Sequence, residues 1–266
     1  MKILTWNINS IRIRLKQLSD VVDELEPDII CLQETKCEDN KFPLKDVQEL
    51  GFKYLAINGQ PSYNGVAIIS KKKIDNIVKH DFCSKSDSRH ISVEFDLKSL
   101  DKKLTIHNFY VPAGGDEPNP KINPKFEHKL QFLDEMFSYI KNVVSDNNHH
   151  IFVGDMNIAP HIHDVWSHNQ LINVVSHTEL ERRKLIEIIE KNDLCDIMRY
   201  FAHSEEKVYS WWSYRNKDWR KSNRGRRLDH IWFSNRLIKY YKTHLIFRDA
   251  RDYGRPSDHV PVLVEF

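Results

Sequence analysis

The chain has 266 residues, of which 40% are hydrophobic and 29% are charged, enough to bury a large core and too apolar for a disordered protein. Its 40 basic and 38 acidic residues give a net charge of +2, so the average charge identifies no partner. The four cysteines lack Cys-x-x-Cys spacing, which argues against a zinc ribbon or a disulfide scaffold and favours a reduced, cytoplasmic setting. No apolar run is long enough to span a bilayer or to form a signal peptide, so we expect no membrane association.

The first part of the chain predicts a strand, a helix and a second strand. Residues 2–6 form a short apolar run that ends at Asn7. Apolar residues then recur at helical spacing over 15–25, and Pro27 ends that helix. A second apolar run over 28–33 ends at Glu34. This order is typical of a layered α/β fold.

The middle of the chain predicts further strands and one long helix. A strand over 66–70 follows a turn, and the alternating runs 91–97 and 104–110 should pair antiparallel across a charged turn. Apolar residues spaced four and three apart over 126–144 predict a helix that packs on a sheet. A capping box predicts the start of another helix at Thr178.

An apolar run that stops at Gly154-Asp155-Met156-Asn157 is the central feature of the sequence. Ile151 to Val153 have the composition of a core strand, and Gly154 permits a close approach of backbones. Asp155 and Asn157 should therefore stand at the end of a rigid strand. Taken alone, an Asp-x-Asn sequence is more often a turn that satisfies only local backbone donors.

Further polar residues also border predicted strands, and together they suggest a metal site. Oxygen-rich ligands with one imidazole suit magnesium or manganese better than zinc. Each of these residues taken singly could be a surface turn. The set consists of Asn7, Glu34, Asp155, Asn157, Asp229, Asp258 and His259.

The histidines could also belong to a serine-hydrolase site or to a zinc site. Ser257-Asp258-His259 suits an Asp-His pair that contacts phosphate, and the absence of a Gly-x-Ser-x-Gly elbow disfavours a serine hydrolase. The remaining histidine-rich stretch has neither cysteine partners nor a His-Glu-x-x-His motif, so we expect surface residues rather than a zinc site. It comprises His149, His150, His161, His163 and His168.

A basic segment over 215–227 is the strongest indication of a partner. Seven basic residues stand there against one acid, Asp218, which gives a local charge of +6. Tryptophans adjoin the segment, and basic charge beside aromatic rings is typical of nucleic-acid binding. The alternative is a solvated loop whose tryptophans lie in the core. The basic residues are Arg215, Lys217, Arg220, Lys221, Arg224, Arg226 and Arg227.

These motifs together resemble the exonuclease III-type AP endonucleases. The pattern comprises Trp6-Asn7-Ile8-Asn9, Leu32-Gln33-Glu34-Thr35-Lys36, Asn108 to Pro112, Gly154 to Asn157, Arg227-Leu228-Asp229 and Ser257-Asp258-His259. The resemblance implies a four-layer α/β sandwich in which two mixed β-sheets pack face to face with helices outside. We expect one domain over residues 1–266, since no repeat or linker interrupts it.

The resemblance also implies roles for individual residues. Tyr110, Asp155, Asn157, Asp229 and His259 would be catalytic, with Asp155 activating the attacking water and Asp229 orienting His259. Asn7, Glu34, Asp155, Asn157, Asp258 and His259 would form the metal site, Glu34 being the most direct ligand. DNA contacts would come from Arg89, Trp212, Arg215, Arg220, Lys221 and Arg224, with Trp212 lining the pocket for the abasic sugar.

The implied activity is that of a DNA repair nuclease that requires Mg²⁺, for which Mn²⁺ can substitute. It would cut duplex DNA 5′ to abasic sites and clean blocked 3′ ends, acting as a monomer. Asn9 and Arg226 depart from the pattern, because some relatives carry Asp and an aromatic residue there. Another phosphoesterase of the superfamily, of the inositol phosphate or sphingomyelin type, and a catalytically silent DNA-binding scaffold are the alternatives.

Overall fold

Two six-stranded sheets form the framework of the structure, a computed structural model that describes residues 1–216 and 218–266. The strands in the described ranges are β1 (Lys2–Asn7), β2 (Ile29–Gln33), β3 (Tyr54–Asn58), β4 (Val66–Ser70), β5 (Asn76–Lys79), β6 (His90–Phe95), β7 (Leu104–Tyr110), β8 (His149–Asp155), β9 (Leu194–Asp196), β10 (Trp211–Trp212), β11 (Gly225–Arg226), β12 (Asp229–Ser234), β13 (Thr243–Ile246) and β14 (Val262–Glu265). The helices are α1 (Leu15–Leu25), α2 (Leu44–Glu49), α3 (Pro124–Val143), α4 (His168–Leu171), α5 (Glu179–Lys191), α6 (Ile197–Tyr200) and α7 (Trp219–Ser222).

Both large sheets are mixed. The first has the order β13-β14-β1-β2-β4-β3, with β1 and β2 parallel. The second has the order β5-β6-β7-β8-β12-β9, with β7 and β8 parallel. The predicted antiparallel pairing of β6 with β7 is confirmed. Each sheet therefore has a parallel pair at its centre, and these pairs end at the same edge.

Four layers result because the central strands are buried on both faces. Ile3 and Ile29 of the first sheet pack against Ile106 and Val153 of the second in one shared core. Alternate residues of the same strands face outwards, where α1 covers the first sheet and α3 and α5 cover the second. The predicted sandwich of two mixed sheets with helices outside is confirmed. No helix in the described ranges is long and apolar enough to cross a membrane.

The capping box of α5 is also confirmed, since the Thr178 hydroxyl oxygen and the Glu181 carboxylate each accept from the other's backbone N–H. The expected surface position of the histidines is wrong for two of them. His149 and His150 are buried at the start of β8, where they contact Asp101 and Asp146. Strand pairing places them inside because β8 lies between β7 and β12.

Gly154 shows how closely β8 is packed against β7. It lies opposite Phe109 in the β7–β8 register, with φ at +135°. A Cβ atom added there would lie 1.9 Å from the Phe109 carbonyl oxygen. Both the backbone conformation and the contact distance therefore require glycine immediately before Asp155.

Gly154→Ala should lower the free energy of unfolding by roughly 3 kcal/mol or more, because backbone strain and overpacking add. Urea denaturation followed by circular dichroism measures this loss. Gly254→Ala is the matched control, since a Cβ at Gly254 meets no heavy atom within 4 Å. We expect that control to stay within about 0.5 kcal/mol of the wild type. Equal losses in the two variants would contradict the argument.

Candidate functional site

Five polar side chains meet where the central strands of both sheets end. Asn7 ends β1, Glu34 follows β2, Tyr110 ends β7 and Asp155 ends β8. Asp229 begins β12 directly opposite Asp155, because β12 runs antiparallel to β8. The two parallel pairs thus bring four of these side chains to one edge of the sandwich. The cleft that opens there has a volume of about 600 Å³.

Asp155 lies at the centre of this group and is almost fully buried. Its carboxylate accepts hydrogen bonds from Asn7 Nδ2 at 2.9 Å and from the backbone and side-chain nitrogens of Asn157 at 2.9 and 3.1 Å. Burial raises the pKa of Asp155 to about 7; the His259 charge opposes this rise and the Asp229 charge adds to it. A carboxylate with that pKa can accept a proton near neutral pH.

Asp229 and His259 form an Asp-His pair beside Asp155. His259 Nδ1 lies 2.8 Å from Asp229 Oδ2, which also accepts from the Ser210 hydroxyl at 2.6 Å. His259 Nε2 faces Asp155 Oδ2 at 3.6 Å. Burial acts to lower the pKa of His259, but the Asp229 and Asp155 carboxylates outweigh it and raise this pKa to about 10. A protonated imidazole has no free lone pair, so His259 suits phosphate contact better than metal ligation.

Glu34 is held on the opposite side of Asn7. Its Oε1 accepts from Asn7 Nδ2 at 2.9 Å and from the Tyr110 hydroxyl at 2.8 Å, and its Oε2 lies 2.6 Å from Lys36 Nζ. Burial alone would raise the pKa of Glu34, but the Lys36 charge and these hydrogen bonds hold it below its usual value. Glu34 also has a φ of +51°, a strained conformation of the kind found at functional sites.

Tyr110 acts here as a hydrogen-bond donor rather than as a phenolate. Burial raises the pKa of Tyr110 well above its ordinary value, and the charges of Glu34 and Asp155 raise it further. The phenol therefore stays protonated while it donates to Glu34. Arg89 stacks on the same ring, with its guanidinium 4.8 Å from the ring centroid, and donates to the Tyr110 carbonyl at 3.2 Å.

Asp258 is a further carboxylate in the cleft, and two neutral side chains donate hydrogen bonds to it. It accepts from Trp211 Nε1 at 2.9 Å and from Asn9 Nδ2 at 3.2 Å. Burial acts to raise the pKa of Asp258, but the His259 charge and these hydrogen bonds lower it. Asn9 in turn accepts from Lys36 Nζ at 2.7 Å. Asn9 and Lys36 therefore connect Asp258 to Glu34, and Asn9 adds no charge of its own.

The donor set fits a hard divalent cation. Glu34 and Asp258 are ionised carboxylates that line the same cleft. Asp155 and Asp229 also offer carboxylate oxygens that lie within 4.8 Å of one another. Asp229 Oδ1 is buried and accepts no hydrogen bond from the described residues. Carboxylate and amide oxygens are the preferred ligands of magnesium and manganese.

The basic segment is divided between the cleft and the surface. Arg215 and Arg224 line the cleft, and Arg224 stacks on Trp166 at 4.7 Å. Arg220 lies outside it, because Asp249 and Asp252 hold its guanidinium at 2.7 and 2.5 Å. Lys221 is exposed on α7 and does not line the cleft either. Lys217 lies outside the described residues.

Two further arginines of the segment are also not free surface charges. Arg226 is half-buried in the cleft, where it stacks on Trp211. Arg227 is fully buried between Asp164 and Asp196. The local charge of +6 therefore overstates the charge that DNA could meet, because folding pairs part of it internally.

The predicted pocket position of Trp212 is corrected by the structure. Trp212 is fully buried, where it packs on Tyr209 and Trp219 and donates to Asn223 Oδ1 at 3.2 Å. Its neighbour Trp211 lines the cleft instead. Alternation along a strand sends one of two adjacent side chains inwards, and the sequence did not show which.

The structure adds residues that the sequence did not single out. Ser210 donates to Asp229 and accepts from the backbone nitrogen of Leu228, so it fixes the Asp-His pair. Lys129 donates to the backbone carbonyl of Asn157 at 2.9 Å and pairs with the buried Glu181. The only sequence signal for Lys129 was a lysine on the apolar face of α3. Nothing in the spacing marked Ser210.

Comparison with known proteins agrees with this geometry. A model of the Endonuclease/Exonuclease/phosphatase family matches residues 4–259. Exodeoxyribonuclease III of Haemophilus influenzae is 29% identical over 276 aligned positions that cover 100% of both chains. An AP endonuclease from Archaeoglobus fulgidus has a TM-score of 0.90 at 31% identity, covering 100% of this chain and 99% of that one. A 3′ phosphatase from Neisseria, bound to product DNA hairpin, has a TM-score of 0.89 at 28% identity, with the same coverage of 100% and 99%.

Proposed function

Since the chain belongs to the endonuclease/exonuclease/phosphatase family, we propose that it is a magnesium-dependent DNA repair nuclease. It cuts the phosphodiester 5′ to abasic sites in duplex DNA and removes blocking groups from 3′ ends. The observation that carries this proposal is the buried Asp155, held between Asn7, Asn157 and the Asp229–His259 pair at the floor of a cleft with basic and aromatic lining.

The proposed reaction is hydrolysis by water attack on phosphorus. Asp155 accepts the proton of the attacking water, for which a pKa of about 7 is well placed. His259, held protonated by Asp229, donates a hydrogen bond to a phosphate oxygen as negative charge develops. The Asn157 side-chain nitrogen donates to the Val111 carbonyl at 2.9 Å and to Asp155 Oδ2 at 3.1 Å, so it holds in place the carboxylate that accepts the proton. The bond between phosphorus and the 3′ oxygen breaks, and this oxygen takes a proton from solvent to become the 3′-hydroxyl.

Glu34 and Asp258 are the residues that would hold the cation, with Asn7 beside them. A bound divalent ion would neutralise phosphate charge and help the leaving oxygen. The chain's own contribution is to keep both carboxylates ionised and fixed. Tyr110 and Lys36 do this for Glu34, while Trp211 and Asn9 do it for Asp258.

DNA is the substrate class that the cleft supports best. Arg215, Arg224 and Arg226 carry positive charge there, and Trp166 and Trp211 offer flat aromatic faces. Phosphates and unstacked sugars are bound by such a combination. The relatives include an exodeoxyribonuclease, an AP endonuclease and a 3′ phosphatase. We expect the protein to act as a monomer, because one chain supplies every side chain named in this site.

A duplex with a single abasic analogue tests substrate, metal and product together. With Mg²⁺ or Mn²⁺ we expect one cut 5′ to the analogue that leaves a 3′-hydroxyl and a 5′-deoxyribose phosphate. EDTA should abolish cleavage, and either cation should restore it, because the ligands are hard oxygens. The control is the same duplex with an undamaged nucleotide. Full activity in EDTA would contradict the metal requirement, and hydrolysis of inositol phosphates or sphingomyelin instead would favour the alternative phosphoesterase.

A further inference from the structure

Arg226 is a half-buried cation whose hydrogen-bonding capacity is not filled. Its Nη1 donates to Ser176 Oγ at 2.7 Å and to the Val175 carbonyl at 3.2 Å. Its Nε is buried and has no acceptor among residues 1–216 and 218–266. Within those ranges no carboxylate forms an ion pair with Arg226. Its Nη2 also makes no hydrogen bond within those ranges, so Nη2 can donate to an anion that enters the cleft.

Glu181, an acid whose charge acts on Arg226, does not supply the missing negative charge. Glu181 is fully buried and already pairs with Lys129 Nζ at 2.5 Å. Its carboxylate also accepts from the backbone nitrogens of Ser176 and Thr178. Burial lowers the pKa of Arg226, and the charge of Glu181 opposes that effect. The charges of Lys129 and Glu181 cancel. One positive charge therefore remains, on Arg226, which lines the cleft.

Strand pairing fixes where this charge lies relative to the catalytic group. Trp211 pairs with Arg226 on one side and forms a bridge with His259 on the other. Directly paired residues project to the same face, so His259, Trp211 and Arg226 form a row. The Arg226 guanidinium stacks over the Trp211 ring, 5.3 Å from its centroid. The Trp211 indole therefore lies between the Arg226 guanidinium and the His259 imidazole.

We propose that Arg226, together with the face of Trp211, forms a subsite for a second anionic group on the fragment that leaves with the scissile phosphate. This subsite rests on the proposed function, because it needs a phosphate bound at His259. Since Arg226 is half-buried against Val175 and Ser176, the group must be small enough to enter a recess. A carboxylate or phosphate one short linker beyond the scissile phosphate meets that requirement, and the Nη2 hydrogens of Arg226 can donate to its oxygens.

The subsite predicts a preference among blocked 3′ ends. A 3′-phosphoglycolate carries a carboxylate beyond the phosphate, and a 3′-phospho-(2-hydroxyethyl) ester has nearly the same size without the charge. In Mg²⁺, wild-type kcat/KM for the glycolate should exceed that for the hydroxyethyl ester about tenfold, the scale of a charge-assisted hydrogen bond. In Arg226→Met the ratio should fall towards one. The ratio is independent of how much of each preparation is folded, because both substrates meet the same enzyme.

Arg224→Met is the matched control, because Arg224 also stacks on a cleft tryptophan but lies on Trp166 instead of Trp211. That variant should keep the wild-type ratio. A wild-type ratio near one, an unchanged ratio in Arg226→Met, or an equal loss in Arg224→Met would overturn the subsite while leaving the proposed nuclease activity intact. Failure of the wild type to release either group, and to cut an abasic duplex, would overturn both.

Discussion

Asp155→Asn should reduce the single-turnover rate of abasic-site cleavage by about 10² or more and leave duplex binding nearly unchanged. The amide keeps the size of the side chain but cannot accept a proton from water. Rapid-quench cleavage with excess enzyme measures the rate, and fluorescence anisotropy in EDTA measures binding. The expected loss is thus confined to chemistry, since the cationic cleft residues that meet phosphate are untouched.

The substitution also changes local hydrogen bonding, which the experiment must separate from catalysis. Asp155 Oδ2 accepts from the side-chain nitrogens of both Asn7 and Asn157, and an amide NH₂ at that position would face two donors. We therefore expect a stability loss of about 1–3 kcal/mol, to be followed by urea denaturation. Asp23→Asn on the exposed face of α1 controls for the change of acid to amide. A wild-type rate in Asp155→Asn would remove Asp155 from the centre of the site.

The elements of the site were predictable where a polar residue directly follows an apolar run. Asn7, Glu34 and Asp155 were found in this way, because strand length and burial leave few alternatives for where a strand ends. Their convergence depends on the pairing of β1 with β2 and of β7 with β8. Sequence spacing does not encode that pairing. The family resemblance supplied it.

The surroundings of the site were harder to predict, because they depend on partners distant in sequence. Arg220 appeared available for DNA, yet Asp249 and Asp252, some thirty residues later, hold it. Trp211 and Trp212 are neighbours in a two-residue strand, so their side chains point to opposite faces, and the sequence does not show which one faces inwards. Among the described residues Arg226 has no charge partner, because Glu181 pairs with Lys129, which lies on a different helix. Local patterns carry no information on such contacts.

Arg227→Met should lower the free energy of unfolding by about 3–5 kcal/mol, the cost of breaking a buried ion pair. Arg227 donates two hydrogen bonds to Asp164, at 2.9 Å each, and two to Asp196, at 3.0 and 2.8 Å. Burial would raise the pKa of Asp164 and Asp196, but the Arg227 charge holds both below their usual values. Its removal leaves two carboxylates in a dry interior, with Arg199 as the remaining cation on Asp164.

Arg220→Met provides the matched control, because Arg220 also contacts two carboxylates but its side chain is 52% exposed, whereas that of Arg227 is 1% exposed. Solvent screening should keep the loss in that variant much smaller than the loss in Arg227→Met. Urea denaturation at neutral pH measures both variants. Adding Asp196→Asn to Arg227→Met should recover part of the loss, because it removes one unpaired buried charge. Similar losses for Arg227→Met and Arg220→Met would mean that burial does not set the strength of these pairs. Since Arg227 lies between Arg226 of the cleft and Asp229 of the Asp-His pair, its loss should also weaken the positioning of both.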